Sequence, residues 1–96
     1  MQLILRPAAA ADIEDAITWY EQQRSGLGTE FLEAVNLALS AVAENPRLAP
    51  LIQRNTRRAL LGRFPYGIYY RIYSEAIVVV ACMHGRREPR RWRSRR

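Results

Sequence analysis

The chain contains no lysine, one histidine (His84) and one cysteine (Cys82). A lone cysteine makes no internal disulfide and builds no thiolate metal site, so disulfide scaffolds, zinc modules and dithiol redox motifs are excluded, and neither metal nor cofactor is expected. Long apolar runs are missing too. The longest, from Ala76 to Met83, falls well short of the roughly 20 residues of a membrane helix. Leu3, Ile4 and Leu5 are cut off by Arg6 and Pro7, which leaves nothing like the apolar stretch of about 7–15 residues in a secretory signal. A cytoplasmic protein without membrane association is the expectation. The sequence also lacks a Gly-rich phosphate loop, a Ser-His-Asp spacing and a dinucleotide fingerprint, which leaves most enzyme classes without support.

What is present is a 96-residue chain, 49% apolar, short enough to build one core and apolar enough to fold. A single domain over residues 1–96 is expected. Charge is divided unevenly along it. Residues 1–53 hold three arginines and seven acids, a balance of −4, whereas residues 54–96 hold twelve arginines and two acids, a balance of +10. Every basic residue is arginine, which suits bidentate recognition of phosphate or carboxylate, although thirteen alanines beside the missing lysines also fit a GC-rich coding sequence. The arginines cluster at residues 86–96, which contain seven of them.

The periodicities define the elements. Gln2–Arg6 reads as a short strand, and Pro7 suits the first turn of a helix. Ile13, Ala16, Ile17 and Tyr20 then fall at helical spacing, with Asp12, Glu14 and Asp15 near the positive end of the helix dipole. Ser25, Gly26 and Gly28 interrupt the pattern. A second helix carries Phe31, Leu32, Val35, Ala38, Leu39 and Val42, with Gly28 and Pro46 marking its ends. Arg47 to about Asn55 reads as a loop and 57–61 as a strand. After the Phe64-Pro65-Tyr66 break, Ile68, Tyr70 and Ile72 alternate with Tyr69, Arg71 and Tyr73. Ile77 to Met83 is continuously apolar, a central strand covered on both faces or covered on one and awaiting a partner on the other. The result is an α+β fold: an antiparallel sheet with a helical hairpin on one face, in the order β-α-α-β-β-β.

Few residues offer chemistry. His84, at the end of the central strand, either acts as a general acid or base or hydrogen-bonds at a strand end. Arg71 and Arg63 can stabilise a phosphate oxyanion or serve as solvated strand residues. Arg86, Arg87, Arg90, Arg91, Trp92 and Arg93 combine clustered guanidinium groups with an aromatic, a surface suited to nucleic acid or an acidic protein. A flexible soluble tail is the plainer reading of the same residues.

Taken together, Ala11-Asp12-Ile13 leading to Trp19-Tyr20-Glu21, Leu27-Gly28, Glu30-Phe31-Leu32, Asn45-Pro46, Arg57-Arg58, Phe64-Pro65-Tyr66, Ile68-Tyr69-Tyr70-Arg71, the Ile77–Ala81 strand and His84 with Arg86-Arg87, Pro89 and Trp92 resemble the RelE/ParE superfamily of bacterial type II toxins. The likeness is to the ParE-like group often described as plasmid stabilisation proteins. It implies the toxic half of a toxin–antitoxin pair, neutralised as a hetero-oligomer by a small, acidic, partly disordered antitoxin.

ParE-like members poison DNA gyrase without hydrolysing anything, whereas RelE-like members cut messenger RNA on the ribosome. The resemblance therefore leaves open whether the chain is an enzyme. Here Gly67 stands near the place where the nucleases carry an arginine, and their lysines are absent. These departures favour the gyrase-directed branch, for which the 86–93 arginines and Trp92 are the expected target-binding residues. For the nuclease alternative His84, Arg71 and Arg63 are the catalytic candidates, with Glu88 or Tyr66 as a weak partner. A third reading is an inactive, toxin-like binding module.

Overall fold

The computed structural model describes residues 1–85 and Arg95. Strand β1 (Gln2–Leu5) precedes helices α1 (Pro7–Gln23) and α2 (Leu27–Glu44), followed by β2 (Leu51–Gln53), β3 (Thr56–Leu60), β4 (Tyr66–Tyr73) and β5 (Ala76–His84). The strands form one sheet in the order β1-β5-β4-β3-β2. It is antiparallel from β2 through β5, and β1 joins the β5 edge in parallel. The α+β layout read from the periodicity is present, its opening strand included, with two differences: β1 joins the expected antiparallel sheet in parallel, and β2 is an additional strand. Residues 51–53 lie in what reads as a loop, because three residues between Pro50 and Arg54 are too few to show a period of two.

Pro7 starts α1, since its fixed φ suits the first turn and its missing N–H would have no helical partner there. Ala9, Ile13 and Ala16 are buried, and Ile17 and Tyr20 pack against them half-buried. The first turn carries no acid. Asp12 stands a turn further on, where the dipole has faded, and its carboxylate is used differently, as described below.

The chain reverses at Gly26, whose φ of 90° lies in a region that side chains disfavour. At Gly28 the helices come so close that a Cβ would sit 2.9 Å from the Ile17 carbonyl oxygen. Glu21 secures this corner: its carboxylate accepts the N–H groups of Gly26, at 3.0 and 3.1 Å, and of Gly28, at 3.0 Å. Donors at the start of α2 with no helical acceptor are thereby satisfied.

Helix α2 buries Phe31, Val35 and Val42 and ends before Pro46, as expected, with Leu39 half-buried. Leu32 departs from the expectation. Lying one position round from Phe31, it is 41% exposed.

Helix α1 lies over β5, and α2 over β3 and β4. Ile68, Tyr70, Ile77, Val79 and Cys82 face the helices, while Tyr69, Val78, Val80, Ala81 and Met83 form a second buried cluster on the opposite face. Among the described residues, strand β5 is therefore buried on both faces. Its alternation skips because Tyr69 pairs with Ala81 and Tyr70 with Val79, leaving Val80 as a bulge residue.

Aromatic packing locks the layers together. The Phe31 ring stacks on Tyr20 at 5.2 Å and meets Phe64 and Tyr66 edge-on, each at 5.1 Å. The Phe64-Pro65-Tyr66 break thus feeds two rings into the helix–sheet core.

Candidate functional site

Strand β1 is shorter than its neighbour. Leu5 pairs with Val79 and the Arg6 N–H donates to the Val79 carbonyl at 3.1 Å, after which β5 runs on to His84. Along that stretch the side of β5 away from β4 faces α1. An open groove of about 1320 Å³ lies here, lined by Asp12, Asp15, Trp19, Tyr66, His84 and Arg95 among others.

Asp12 closes one part of the groove. Its Oδ2 accepts the Cys82 N–H at 3.0 Å and Arg95 Nη1 at 2.5 Å, while Oδ1 accepts Arg95 Nη2 at 3.2 Å. Two guanidinium nitrogens on two carboxylate oxygens make a forked, charge-assisted pair. Arg95 Nη1 also donates to the carbonyl of the bulge residue Val80 at 3.2 Å. Both side chains are largely shielded, with 17% of Asp12 and 25% of Arg95 exposed.

The Arg95 backbone carbonyl in turn accepts Arg71 Nη1 at 2.7 Å, and Arg71 Nε donates to Thr56 Oγ1 at 3.0 Å. A continuous polar chain therefore links β3, β4, Arg95, α1 and β5.

The residues singled out from the sequence fall in three places. Arg71 is 8% exposed, on the sheet face opposite the helices, and engaged as just described. Arg63, in the break between β3 and β4, donates from Nη2 to Glu30 of α2 at 2.6 Å. His84 ends β5 opposite Tyr66, with the two rings 5.5 Å apart. His84 lines the groove beside α1 and Arg63 a separate depression against α2, whereas Arg71 lines neither. Arg86, Arg87, Arg90, Arg91, Trp92 and Arg93, like Glu88, lie outside the described residues.

Gly67 admits the side chain of Arg58: a Cβ there would come within 2.9 Å of Arg58 Cγ. Arg57 is structural, donating to the carbonyls of Arg47 at 3.0 Å and Ala49 at 2.7 Å. Tyr70 does the same for the loop through its hydroxyl, which donates to the Pro46 carbonyl at 2.6 Å.

Electrostatics follow the geometry. The Cys82 thiol is pushed up to about 12, first by burial and then by the Asp12 charge, so it is neither nucleophile nor ligand at neutral pH. Hydrogen bonds from Arg63 and Arg24 hold the Glu30 carboxyl below its ordinary value, and those from the Gly26 and Gly28 N–H groups do so for Glu21. Away from the groove, Leu37 and Leu60 are 74% and 66% exposed. They line a shallow depression with Ala34 and Ala38, rimmed by Glu33 and Arg63. Among the described residues no helix is long and apolar enough to cross a membrane.

A family model described as the ParE toxin of the type II toxin–antitoxin system, parDE, matches residues 3–89. The chain belongs to that family and is the ParE-like toxin component of a bacterial type II toxin–antitoxin system. Among solved structures it is similar to one from the chromosomal ParDE toxin–antitoxin system of P. aeruginosa. The TM-score is 0.68 at 20% identity, over 88% of this chain and 95% of that one, a likeness of fold. No curated protein matches the sequence.

Asp12 and Arg95 are the pair that sequence reasoning misses. They stand 83 positions apart, and no local pattern connects them.

Proposed function

We propose that this toxin acts by binding DNA gyrase rather than by cutting RNA. The observation that carries the reading is the dispersal of Arg63, Arg71 and His84. Cleaving RNA needs a base, a charge-stabilising cation and an acid around one phosphate, whereas Arg63 is held by Glu30 and Arg71 by Thr56 and Arg95. A poison needs only a complementary surface. Arg86, Arg87, Arg90, Arg91, Trp92 and Arg93 are assigned to it, because arginine and tryptophan concentrate binding energy in few anchors.

The neutralising partner in this proposal is a small, acidic, partly disordered cognate antitoxin, giving a cytoplasmic hetero-oligomer in which residues 1–96 act as one domain. Its charge complements the +10 balance of residues 54–96. Leu37 and Leu60 offer exposed apolar surface for a segment that folds as it binds.

Expression of the chain in cells, with and without the neighbouring open reading frame, tests the pairing, and a supercoiling assay with purified gyrase tests the target. Growth arrest relieved by a co-purifying acidic neighbour, together with inhibited supercoiling, is expected. A stable, non-toxic protein that ignores both sinks the proposal.

A further inference from the structure

Arg95 is held by its side chain and by its backbone. The guanidinium donates to both carboxylate oxygens of Asp12 in α1 and to the Val80 carbonyl in β5, and the main-chain carbonyl accepts Arg71 Nη1 of β4 at 2.7 Å. Asp12 and Arg71 are themselves fixed from elsewhere. Asp12 accepts the Cys82 N–H at 3.0 Å, and Arg71, buried, donates to Thr56 of β3 at 3.0 Å. Because the carbonyl is bound as well as the guanidinium, the main chain is anchored at this point and not merely a side chain on a flexible stem. At the other end His84 pairs with Tyr66, and the Gly85 N–H donates to the Pro65 carbonyl at 2.8 Å. The nine residues 86–94 therefore connect two points that the fold holds in place.

We propose that Asp12, Arg71 and Arg95 are positioning residues. Their bonds tether the C-terminal segment at its far end and so confine Arg86, Arg87, Arg90, Arg91, Trp92 and Arg93, the target-binding residues of the function proposed above, on which this inference rests. A segment fastened only at Gly85 leaves that cluster free, and a target must then order it at the expense of affinity. Fastening both ends removes much of this freedom before contact. None of the tethering bonds uses a side chain of the cluster.

Amide nitrogen relaxation by NMR and a supercoiling assay with purified gyrase, run on the same samples of the full chain, test the tether and its consequence separately. In Arg95→Ala the order parameters of residues 86–94 should drop from their wild-type values to below about 0.6, the flexible range, while those of α1 and β5 stay near wild type. The protein concentration for half-inhibition should rise about tenfold, the equivalent of one to three side chains left for the target to order. A second variant, with Gly-Ser-Gly-Ser inserted between Arg93 and Ser94, keeps Asp12, Arg71 and Arg95 and lengthens the tether. It should melt within a few degrees of wild type, show lowered order over the same residues and still inhibit less, which a loss of stability would not produce, and it decides the matter if Arg95→Ala fails to fold. Order parameters of 86–94 that match wild type in both variants overturn the tether. Lowered order with unchanged half-inhibition overturns the positioning role. A wild type that leaves supercoiling untouched refutes the gyrase reading, while the order parameters still decide the tether.

Discussion

The backbone N–H of Cys82 in β5 donates to Asp12 Oδ2 in α1 at 3.0 Å, across 70 positions of sequence. One carboxylate thus satisfies an edge of the sheet where β1 has ended and also receives Arg95. Asp12→Ala removes the acceptor of that N–H and leaves the guanidinium only the Val80 carbonyl. The loss should be about 1.5–3 kcal/mol, the range for a hydrogen bond to a charged group. Asp12→Asn, which keeps an acceptor for Cys82 but no charge, should lose less. Urea denaturation of the two variants measures the difference, and equal losses would mean that the Cys82 bond contributes nothing.

Phe31 and Leu32 are neighbours in sequence with opposite fates, 0% and 41% exposed. Phe31→Ala should cost about 3–5 kcal/mol through the cavity left among Tyr20, Phe64 and Tyr66. Leu32→Ala should stay within about 0.5 kcal/mol. Denaturation midpoints check both, and comparable losses would contradict the orientation of α2.

The pH dependence has a definite sign at each end. Glu21 and Glu30 are held below the ordinary carboxyl value of 4.5, so their contribution is present above that value and is lost as pH falls through their folded pKa. Cys82 is raised from 9.0 to about 12. Its contribution is present below pH 9.0, the unfolded value, and is lost as pH rises towards the folded one. Melting Glu21→Gln at pH 7 and pH 3 should show a deficit against wild type that shrinks at the lower pH. The Cys82 thiol, 2% exposed, should react with a thiol reagent at pH 8 about a hundredfold or more slowly in the folded protein than in denaturant.

Truncation before Arg90 should abolish toxicity, but it also removes Arg95, which Asp12 holds. Alanine at Arg90, Arg91 and Trp92 together separates the two effects. This triple variant should lose toxicity while melting within a few degrees of wild type, whereas Arg95→Ala should lower the melting temperature. Growth assays beside thermal melts make the distinction, and a toxic triple variant would remove these residues from the target surface.

The sequence makes the two helices and the three longer strands after them legible, because Ile13, Ala16, Phe31, Val35 and Val42 keep helical spacing and Ile68, Tyr70 and Ile72 alternate. Strand β2 is hidden by its length of three residues. The Val80 bulge is hidden by composition: β5 is apolar throughout, so a one-residue skip in facing leaves no trace in its pattern. Asp12 reads as one more acid on the exposed side of α1, since nothing in the chain announces that β1 stops at Leu5 and leaves Cys82 for a side chain to satisfy. The spread of His84, Arg71 and Arg63 is invisible for a related reason. Neighbouring strands look equivalent in sequence, whereas the face each side chain takes, and the acceptor that claims it, are set by register and by Glu30 and Thr56 from elsewhere.

The central claim is that toxicity comes from binding gyrase and not from hydrolysis. The most direct measurement is the supercoiling activity of purified gyrase titrated with wild-type protein and with His84→Ala, beside a ribosome-dependent messenger RNA cleavage assay on the same two samples. The account predicts dose-dependent inhibition of supercoiling by both proteins and no RNA cleavage by either. Cleavage of messenger RNA by the wild type, lost in His84→Ala while gyrase keeps its full activity, would contradict it.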